Sequence, residues 1–307
     1  MNILHWMKKE DSGLARSTLE IAKYEEKQGH GVCIKQPGED KAYYGRDVNF
    51  DVHSIHSQLN PKAYHDNKPK LMWMHGEPLS SVGNKVSMKA IVDLAPLCDA
   101  FICMRKEEWP IWNSIKRTYL VPKGIDLEVY KPIPEIKEKL SGNPAVLYVE
   151  NWRGQRNPLY LCVAMQEVHK KYPDARLHLY NCSDKSMYET FQALYKNNKW
   201  WTFLRTLNGP EKDINTLYNR ADIVVSCLYP LYARSIEAFG AGKAFIGPGY
   251  REEGYPWTCE LDVHSMAKAL TDCWENYDKL NYRKWAEERH NVNETVRQAV
   301  EIYGRYI

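Results

Sequence analysis

Several features are missing from the 307-residue sequence, and each absence excludes a class of protein. No apolar run approaches the ~18 residues that a membrane-spanning helix requires. There is no low-complexity tract and no repeat of 20–50 residues, which argues against disordered chains and solenoids. The first ten residues begin apolar and then become charged, the reverse of a secretory signal. These absences predict a soluble protein of the cytoplasm, although peripheral membrane attachment stays open.

Metal and disulfide patterns are also missing. The eight cysteines are scattered, with no CxxC pair and no histidine at metal-ligand spacing. We therefore expect buried thiols in a reducing compartment, with neither a disulfide framework nor a metal site. His53 and His56 are three residues apart, but on a strand such positions point to opposite faces and so do not predict a metal site.

Charge of one sign is not in excess either. The chain has 42 basic and 39 acidic residues, a formal net charge of +3, and the two signs are nearly balanced in each half. Bulk charge therefore gives no signature of a nucleic-acid-binding module, although a local basic groove stays open. Phenylalanine is scarce, at 6 residues, beside 21 tyrosines and 10 tryptophans. That bias is typical of ligand clefts and interfaces.

Strand and helix patterns alternate along the chain, which predicts an α/β protein with parallel sheets. The length favours two domains. The first series runs over residues 1–130. Residues 131–144 contain three prolines among charges and are typical of a connector. The second series runs over 145–280, and a C-terminal helix covers about 281–307.

The strands predicted in the first series are Met1–Trp6, Val32–Ile34, Asp51–His56, Leu71–His75, Ala100–Met104 and a short one at Tyr119–Pro122. Those of the second are Ala145–Val149, Arg176–Tyr180, Asp222–Ser226 and Ala244–Ile246, with helices at Leu159–Lys171, Ser186–Lys196 and Ser235–Ala241. In open parallel sheets, ligands bind beyond the carboxyl ends of strands, near helix N-termini that favour anions. We therefore expect an anionic ligand in a cleft between the domains.

Several segments, taken in order, resemble the retaining glycosyltransferases of family 4. The segments that carry the resemblance are Ser12–Glu20, Glu25–Val32, Asp51–Ser57, Met72–Gly76, Val121–Pro132, Leu147–Asn157, Ala221–Ser226 and Ser235–Lys243. Each is weak alone, but their order and spacing cover nearly the whole chain. The resemblance implies the GT-B fold, in which two Rossmann-like domains face each other across a cleft, with the C-terminal helix packed back on the first domain.

The resemblance also implies a donor site in the second half. Arg156 and Arg153 suit a diphosphate, because guanidinium groups pair with phosphate oxygens. Glu237 matches the family's glutamate that accepts hydrogen bonds from the ribose hydroxyls, although a glutamate at a helix start is also stabilised by the helix dipole. Further candidates are the backbone N–H groups of Ala233, Arg234 and Ser235 for the β-phosphate, with the Arg234 charge assisting, and Asn181 for the donor base.

In the first half, the resemblance implies that Gly13 lets the backbone approach a ligand and that His75 faces the donor sugar. An ordinary turn and an ordinary loop histidine are the alternatives. The sequence departs from the family at Tyr229, where the first glutamate of the family's Glu-x7-Glu pattern is expected.

The resemblance implies a glycosyltransferase that moves a sugar from a nucleoside-diphosphate sugar to a hydroxyl acceptor with retention of configuration. The catalytic residues would be His75, Arg156 and Glu237, with no metal and no cofactor besides the sugar nucleotide. The leaving phosphate would take the acceptor's proton. The acceptor stays open among a glycan, a lipid and a hydroxymethylated DNA base. Because of Tyr229, a non-catalytic nucleotide-sugar-binding protein is the alternative, and a sugar-nucleotide epimerase is a third.

Overall fold

The computed structural model describes residues 1–7, 13–36, 42–46, 49–56, 66–75, 85–150, 158–180, 189, 193, 200–204, 214–227 and 232–307. The chain divides into two compact units. The first comprises Met1–Asp126 with Arg289–Ile307, and the second comprises Leu127–Glu288.

The strands of the described residues fall into two sheets. In the first unit they are β1 (Asn2–Trp6), β2 (Gly31–Lys35), β3 (Tyr44–Gly45), β4 (Val52–Ile55), β5 (Lys70–Met74), β6 (Ala100–Cys103) and β7 (Thr118–Leu120). In the second they are β8 (Ala145–Tyr148), β9 (Arg176–Tyr180), β10 (Trp201–Leu204), β11 (Ile223–Val225) and β12 (Ala244–Ile246).

The helices in the same part of the chain are α1 (Gly13–Lys27), α2 (Lys85–Leu94), α3 (Trp109–Ile115), α4 (Leu159–Lys171), α5 (Ile214–Arg220), α6 (Tyr232–Gly240), α7 (Val263–Glu275), α8 (Tyr282–Arg289) and α9 (Val292–Tyr303). The helix predicted over Ser186–Lys196 falls almost wholly outside the described residues.

The first sheet has the strand order β3-β2-β1-β4-β5-β6-β7, and every pair is parallel except β2 with β3. All residues of β4, β5 and β6 are buried, as expected for parallel strands that are covered on both faces. The chain leaves β1 toward β2 and later returns to its other side as β4. The topological switch point of this sheet therefore lies at the carboxyl ends of β1 and β4.

Alternate strand residues send their side chains to two different cores. One face, with Ile3, Leu71 and Trp73, packs against α1 and α9. The other face, with Met72 and Phe101, packs against α2 and α3. This period of two explains why the strands read as continuous apolar runs, since both faces are buried.

The C-terminal helix α9 is tied to the first unit by a close backbone approach. A Cβ atom added at Gly124 would lie 2.5 Å from Cα of Val292, so a side chain there would push the helix away. The Ile125 N–H donates to the His290 carbonyl at 2.9 Å, and the Val292 N–H donates back to the Ile125 carbonyl at 3.2 Å. Although the sequence suggested one helix over 281–307, residues up to Glu288 belong to the second unit, where Tyr282 stacks on Phe239.

The second sheet has the order β10-β9-β8-β11-β12, and all its pairs are parallel. Its switch point lies at the carboxyl ends of β8 and β11. The prolines of 131–144 suggested a connector, but this stretch belongs to the second unit. This stretch lies along α5. The Asn215 side chain accepts a hydrogen bond from the Lys131 N–H at 3.1 Å, and the Asn219 side chain accepts one from the Ile133 N–H at 2.8 Å.

Candidate functional site

The clearest candidate in the second unit is the start of α6, the helix that follows β11. Ala233, Arg234 and Ser235 lie in its first turn, at the positive end of the helix dipole. The helix starts three residues earlier than the sequence suggested. This geometry places three N–H donors and the positive end of a helix dipole beyond a strand that borders the switch point.

Glu237 is buried one turn further into α6, at 6% exposure. Its Oε2 accepts hydrogen bonds from the Tyr218 hydroxyl at 2.7 Å and from Nη1 of Arg234 at 2.8 Å. Its Oε1 accepts from the Tyr130 hydroxyl at 3.2 Å. An ionised carboxylate offers about four acceptor positions, so three donors leave room for one more.

The surroundings of Glu237 keep its partners in defined protonation states. The Tyr218 oxygen and the Glu237 carboxylate both raise the pKa of Arg234, so its guanidinium stays charged. Burial raises the pKa of Tyr218 well above the ordinary value, so this phenol stays protonated and donates to the carboxylate. Arg234 was expected to assist a phosphate, but its Nη1 is bonded to Glu237 and to the Tyr218 hydroxyl.

A second polar contact sits at the switch point itself. Glu150 lies two residues after the end of β8 and Ser226 directly follows β11, and the Ser226 hydroxyl donates to Oε1 of Glu150 at 2.5 Å. The Tyr160 hydroxyl donates to the Ser226 carbonyl at 3.2 Å. Sequence reasoning gave these residues no role. The signal that could have found them is a polar residue directly after each of two buried apolar runs, Ala145–Val149 and Ile223–Val225.

Three predicted donor-site residues, Arg153, Arg156 and Asn181, lie outside the described residues, as does Tyr229. Their roles stay predictions. Gly13, which was expected in the turn before the first helix, is the first residue of α1, and its role in ligand binding stays a prediction.

In the first unit, His75 directly follows β5 and is half-buried. Its Nε2 lies 2.8 Å from Nδ1 of His56, which directly follows β4. Burial, reinforced by the Lys123 charge, lowers the pKa of His75 to about 3. Burial also holds the pKa of His56 well below the ordinary value of 6.5. Both imidazoles are therefore neutral at pH 7.

His56 is bonded in turn to His5 on β1, whose other ring nitrogen lies 2.5 Å from Oε2 of Glu25 on α1. Sequence reasoning missed His5 and Glu25. The signal was available, because each polar residue stands among buried apolar positions of its element.

His53 has different partners from His56, as their spacing predicted. Its Nδ1 accepts from Nε1 of Trp6 at 3.0 Å, and its Nε2 lies 2.6 Å from Oδ2 of Asp66. Within the described part of the chain, no group of three or more His, Cys, Asp or Glu side chains is arranged to hold a metal ion. None of the described helices is both long and apolar enough to cross a membrane.

Comparisons with known proteins agree on architecture. No protein-family model matches the sequence, and no curated protein matches it at a significant level. Solved structures do match. Sucrose-phosphate synthase from Thermosynechococcus elongatus is 14% identical with a TM-score of 0.77, and the match covers 99% of this chain and 98% of that one.

Two further structures match over full length. A glycosyltransferase from Rickettsia africae is 17% identical with a TM-score of 0.72, covering 99% of this chain and 98% of that one. Anabaena HepE, in complex with UDP, is 14% identical with a TM-score of 0.74, covering 99% and 100%. At such identities the likeness establishes the fold. The chain is an α/β protein with the GT-B fold of two Rossmann-like units.

Proposed function

We propose that this protein is a glycosyltransferase that uses a nucleoside-diphosphate sugar as donor. The observation that carries the proposal is Glu237, a buried carboxylate one turn inside a helix that starts beyond the switch-point strand β11. The fold supports it, since HepE, which has this fold, is described in complex with UDP and with UDP-glucose.

The phosphates of the donor suit the first turn of α6. The N–H groups of Ala233, Arg234 and Ser235 and the helix dipole favour negative charge. Arg153 and Arg156, in the segment after β8, are proposed to add positive charge. Negative charge grows on the departing diphosphate as the sugar–phosphate bond breaks, so these groups would lower the barrier most in the transition state.

The ribose of the donor suits Glu237. Its carboxylate is held in place by Tyr218 and Arg234, while the contact with Tyr130 at 3.2 Å is the longest of the three. A sugar hydroxyl can occupy the remaining acceptor position or replace Tyr130. A fixed carboxylate is a suitable acceptor for paired hydroxyls because it loses little freedom on binding.

Finer features follow from the sequence resemblance. We propose transfer with retention and without a metal, with Asn181 near the donor base and His75 meeting a hydroxyl of the transferred sugar. A glycan, a lipid and a hydroxymethylated DNA base remain the acceptor classes to test. The tyrosine at position 229, in place of a carboxylate, favours a second candidate, a non-catalytic protein that binds a nucleotide sugar.

Thermal unfolding with UDP, GDP, ADP and their sugars tests donor binding, because a ligand that binds the native state raises its melting temperature. We expect one nucleoside diphosphate to stand out. Glu237→Gln should weaken its binding by about 10-fold or more, since a hydrogen bond to a charged group is worth about 1.5–3 kcal/mol. Glu260→Gln, on an exposed carboxylate of the same unit, is the matched control.

Release of sugar from the bound donor then separates the two candidates. A transferase hydrolyses its donor slowly without an acceptor, whereas a pure binding protein shows affinity and no release. An isomerised sugar nucleotide among the products points to an epimerase. If no nucleoside diphosphate changes the melting temperature, the proposal fails.

A further inference from the structure

Glu237 has room for one further hydrogen-bond donor. Its Oε2 accepts from the Tyr218 hydroxyl at 2.7 Å and from Nη1 of Arg234 at 2.8 Å, which occupies both lone pairs of that oxygen. The guanidinium of Arg234 is always charged and can only donate, which favours the carboxylate form of Glu237. Its Oε1 accepts from the Tyr130 hydroxyl at 3.2 Å, which occupies one lone pair of two. Counting the donors that the described residues supply, one acceptor position is therefore left, and it lies on Oε1.

The number of open positions matters because a ribose has two neighbouring hydroxyl groups, at C2′ and C3′. A carboxylate with two open positions can accept from both, whereas one open position serves one hydroxyl. The second hydroxyl gains a position on Glu237 only if the Tyr130 hydroxyl withdraws. Whether Tyr130 moves therefore decides how many ribose hydroxyls Glu237 binds.

The backbone of Tyr130 is held from α8. Nη1 of Arg283 donates to the Tyr130 carbonyl at 2.7 Å and to the Leu127 carbonyl at 3.2 Å. The same nitrogen donates to the carbonyl of Gly240, the last residue of α6, at 2.9 Å. An arginine at this end of a helix also complements the helix dipole. Because α6 carries Glu237, one guanidinium fixes the position of Tyr130 relative to that carboxylate.

The residue after Tyr130 is held from α5. The Asn215 side chain accepts from the Lys131 N–H at 3.1 Å and donates to the Lys131 carbonyl at 2.9 Å. The Asn219 side chain donates to the same carbonyl at 2.9 Å. Tyr130 itself is 6% exposed, so its ring cannot turn away without a rearrangement of the packing around it. A ligand that displaced Tyr130 would therefore disturb contacts with three helices in exchange for one hydrogen bond.

We propose that Tyr130 is a specificity-determining residue that leaves Glu237 able to accept one ribose hydroxyl and not two, and that Arg283 is a positioning residue that holds Tyr130 in this place. The inference rests on the proposed function, because it describes how the nucleotide site binds the ribose. It predicts that one of the two deoxyribonucleotide series, 2′-deoxy or 3′-deoxy, binds almost as well as the ribonucleotide. The donor class thereby extends beyond ribonucleoside diphosphates.

Calorimetric titration of the full chain with deoxynucleotides tests the inference. The probe is whichever of UDP, GDP and ADP raises the melting temperature most, together with its own 2′-deoxy and 3′-deoxy forms. In the wild-type protein, loss of the accepted hydroxyl should weaken binding about tenfold or more, because a bond to a charged acceptor is removed, and loss of the other should weaken it about twofold or less. Equal losses at the two positions, large or small, would overturn the inference.

Tyr130→Phe opens the second position on Oε1 and should make the tolerated hydroxyl important. The ratio of the deoxynucleotide Kd to the ribonucleotide Kd at that position should rise about fivefold or more above the wild-type ratio. Tyr172→Phe is the matched control, because the Tyr172 hydroxyl also donates to a glutamate of the same unit, Oε1 of Glu275, at 2.7 Å. Its ratio should equal that of the wild type. A Tyr130→Phe ratio no higher than the Tyr172→Phe ratio would contradict the role of Tyr130.

Arg283→Gln tests the positioning role. Without the guanidinium, the carbonyl groups on Leu127, Tyr130 and Gly240 lose their shared donor, and the ratio should rise toward the Tyr130→Phe value. Arg283→Lys keeps a charged donor without the planar fork, so its ratio should lie between those of the wild type and Tyr130→Phe, and it serves alone if Arg283→Gln does not fold. A purely structural role would lower stability and leave the ratio unchanged. A wild-type ratio in either folded variant would therefore overturn the role of Arg283.

These outcomes distinguish this inference from the proposed function. If none of the three nucleoside diphosphates binds the wild-type protein, both fail. If one binds and its two ribose hydroxyls contribute equally, donor binding stands and the role of Tyr130 fails.

Discussion

The two units of this protein share one architecture but place different chemistry at their carboxyl edges. In the first unit, three imidazoles connect the edge to a buried carboxylate, and the last of them, His75, is an uncharged ring at neutral pH. In the second, the carboxylate of Glu237 lies one turn inside α6 and pairs directly with the Arg234 guanidinium. A parallel sheet thus supplies the position, and the side chains decide whether that position favours a hydroxyl or an anion.

Replacing the buried carboxylate of each unit by alanine should give the largest difference in stability between the two units. Glu237→Ala leaves the Arg234 charge and the Tyr218 hydroxyl without their partner, so we expect a loss of about 3–5 kcal/mol in the free energy of unfolding. Glu25→Ala leaves Nε2 of the buried His5 without its partner and should cost about 1–3 kcal/mol. Denaturant unfolding measures both. Equal losses would mean that the histidine chain carries a charge and would break the comparison.

Acidification should lower the stability of the folded protein through His75 of the first unit. The pKa of His75 is lowered to about 3 from an ordinary 6.5, so the unfolded chain binds a proton that the folded protein does not. Stability is therefore full above pH 6.5 and falls as the pH drops toward 3. At pH 5 we expect a loss of about 1–2 kcal/mol from this residue, since one pH unit corresponds to about 1.4 kcal/mol.

The unfolding free energy of His75→Gln should accordingly depend less on pH between 7 and 5. His264→Gln in the second unit is the control, because His264 is 87% exposed and meets water in both states. If the two variants keep the same pH dependence as the wild type, His75 is protonated in the folded protein.

Removing one tyrosine hydroxyl from each unit should have the smallest effect on stability. Tyr130→Phe removes the longest contact of Glu237, and Tyr303→Phe removes the hydroxyl that lies 2.9 Å from Ser54. Each should cost about 1 kcal/mol of stability. Tyr130→Phe should also change nucleoside-diphosphate affinity several-fold, whereas Tyr303→Phe should leave it unchanged. Calorimetric titration of both variants would show whether affinity for the nucleotide resides in the second unit alone.

Pattern reasoning predicted most strands of both sheets, including the three-residue strands β11 and β12, but it missed β3, β10 and the helix α5. β1, β5, β6, β8 and β9 lie within a residue or two of the predicted positions, because burial on both faces leaves a continuous apolar signal. No sequence pattern predicted β3, which has two residues, or β10. No amphipathic pattern pointed to α5. Two of its polar residues, Asn215 and Asn219, are buried because their side chains form hydrogen bonds with the backbone of residues 131–144.

Glycine, proline and the apolar period by themselves determined the alternation of strands and helices, because those signals act between residues close in sequence. They were enough to indicate an α/β chain, whereas the GT-B fold and the choice of Glu237 and His75 came from the resemblance of several segments to the glycosyltransferases of family 4. Only the tertiary structure decided what those residues touch. Tyr130 and Tyr218 meet at Glu237, and Glu25 meets His5, across separations that no local pattern encodes. Hydrogen bonds between distant residues exist only once the sheet has brought their strands together.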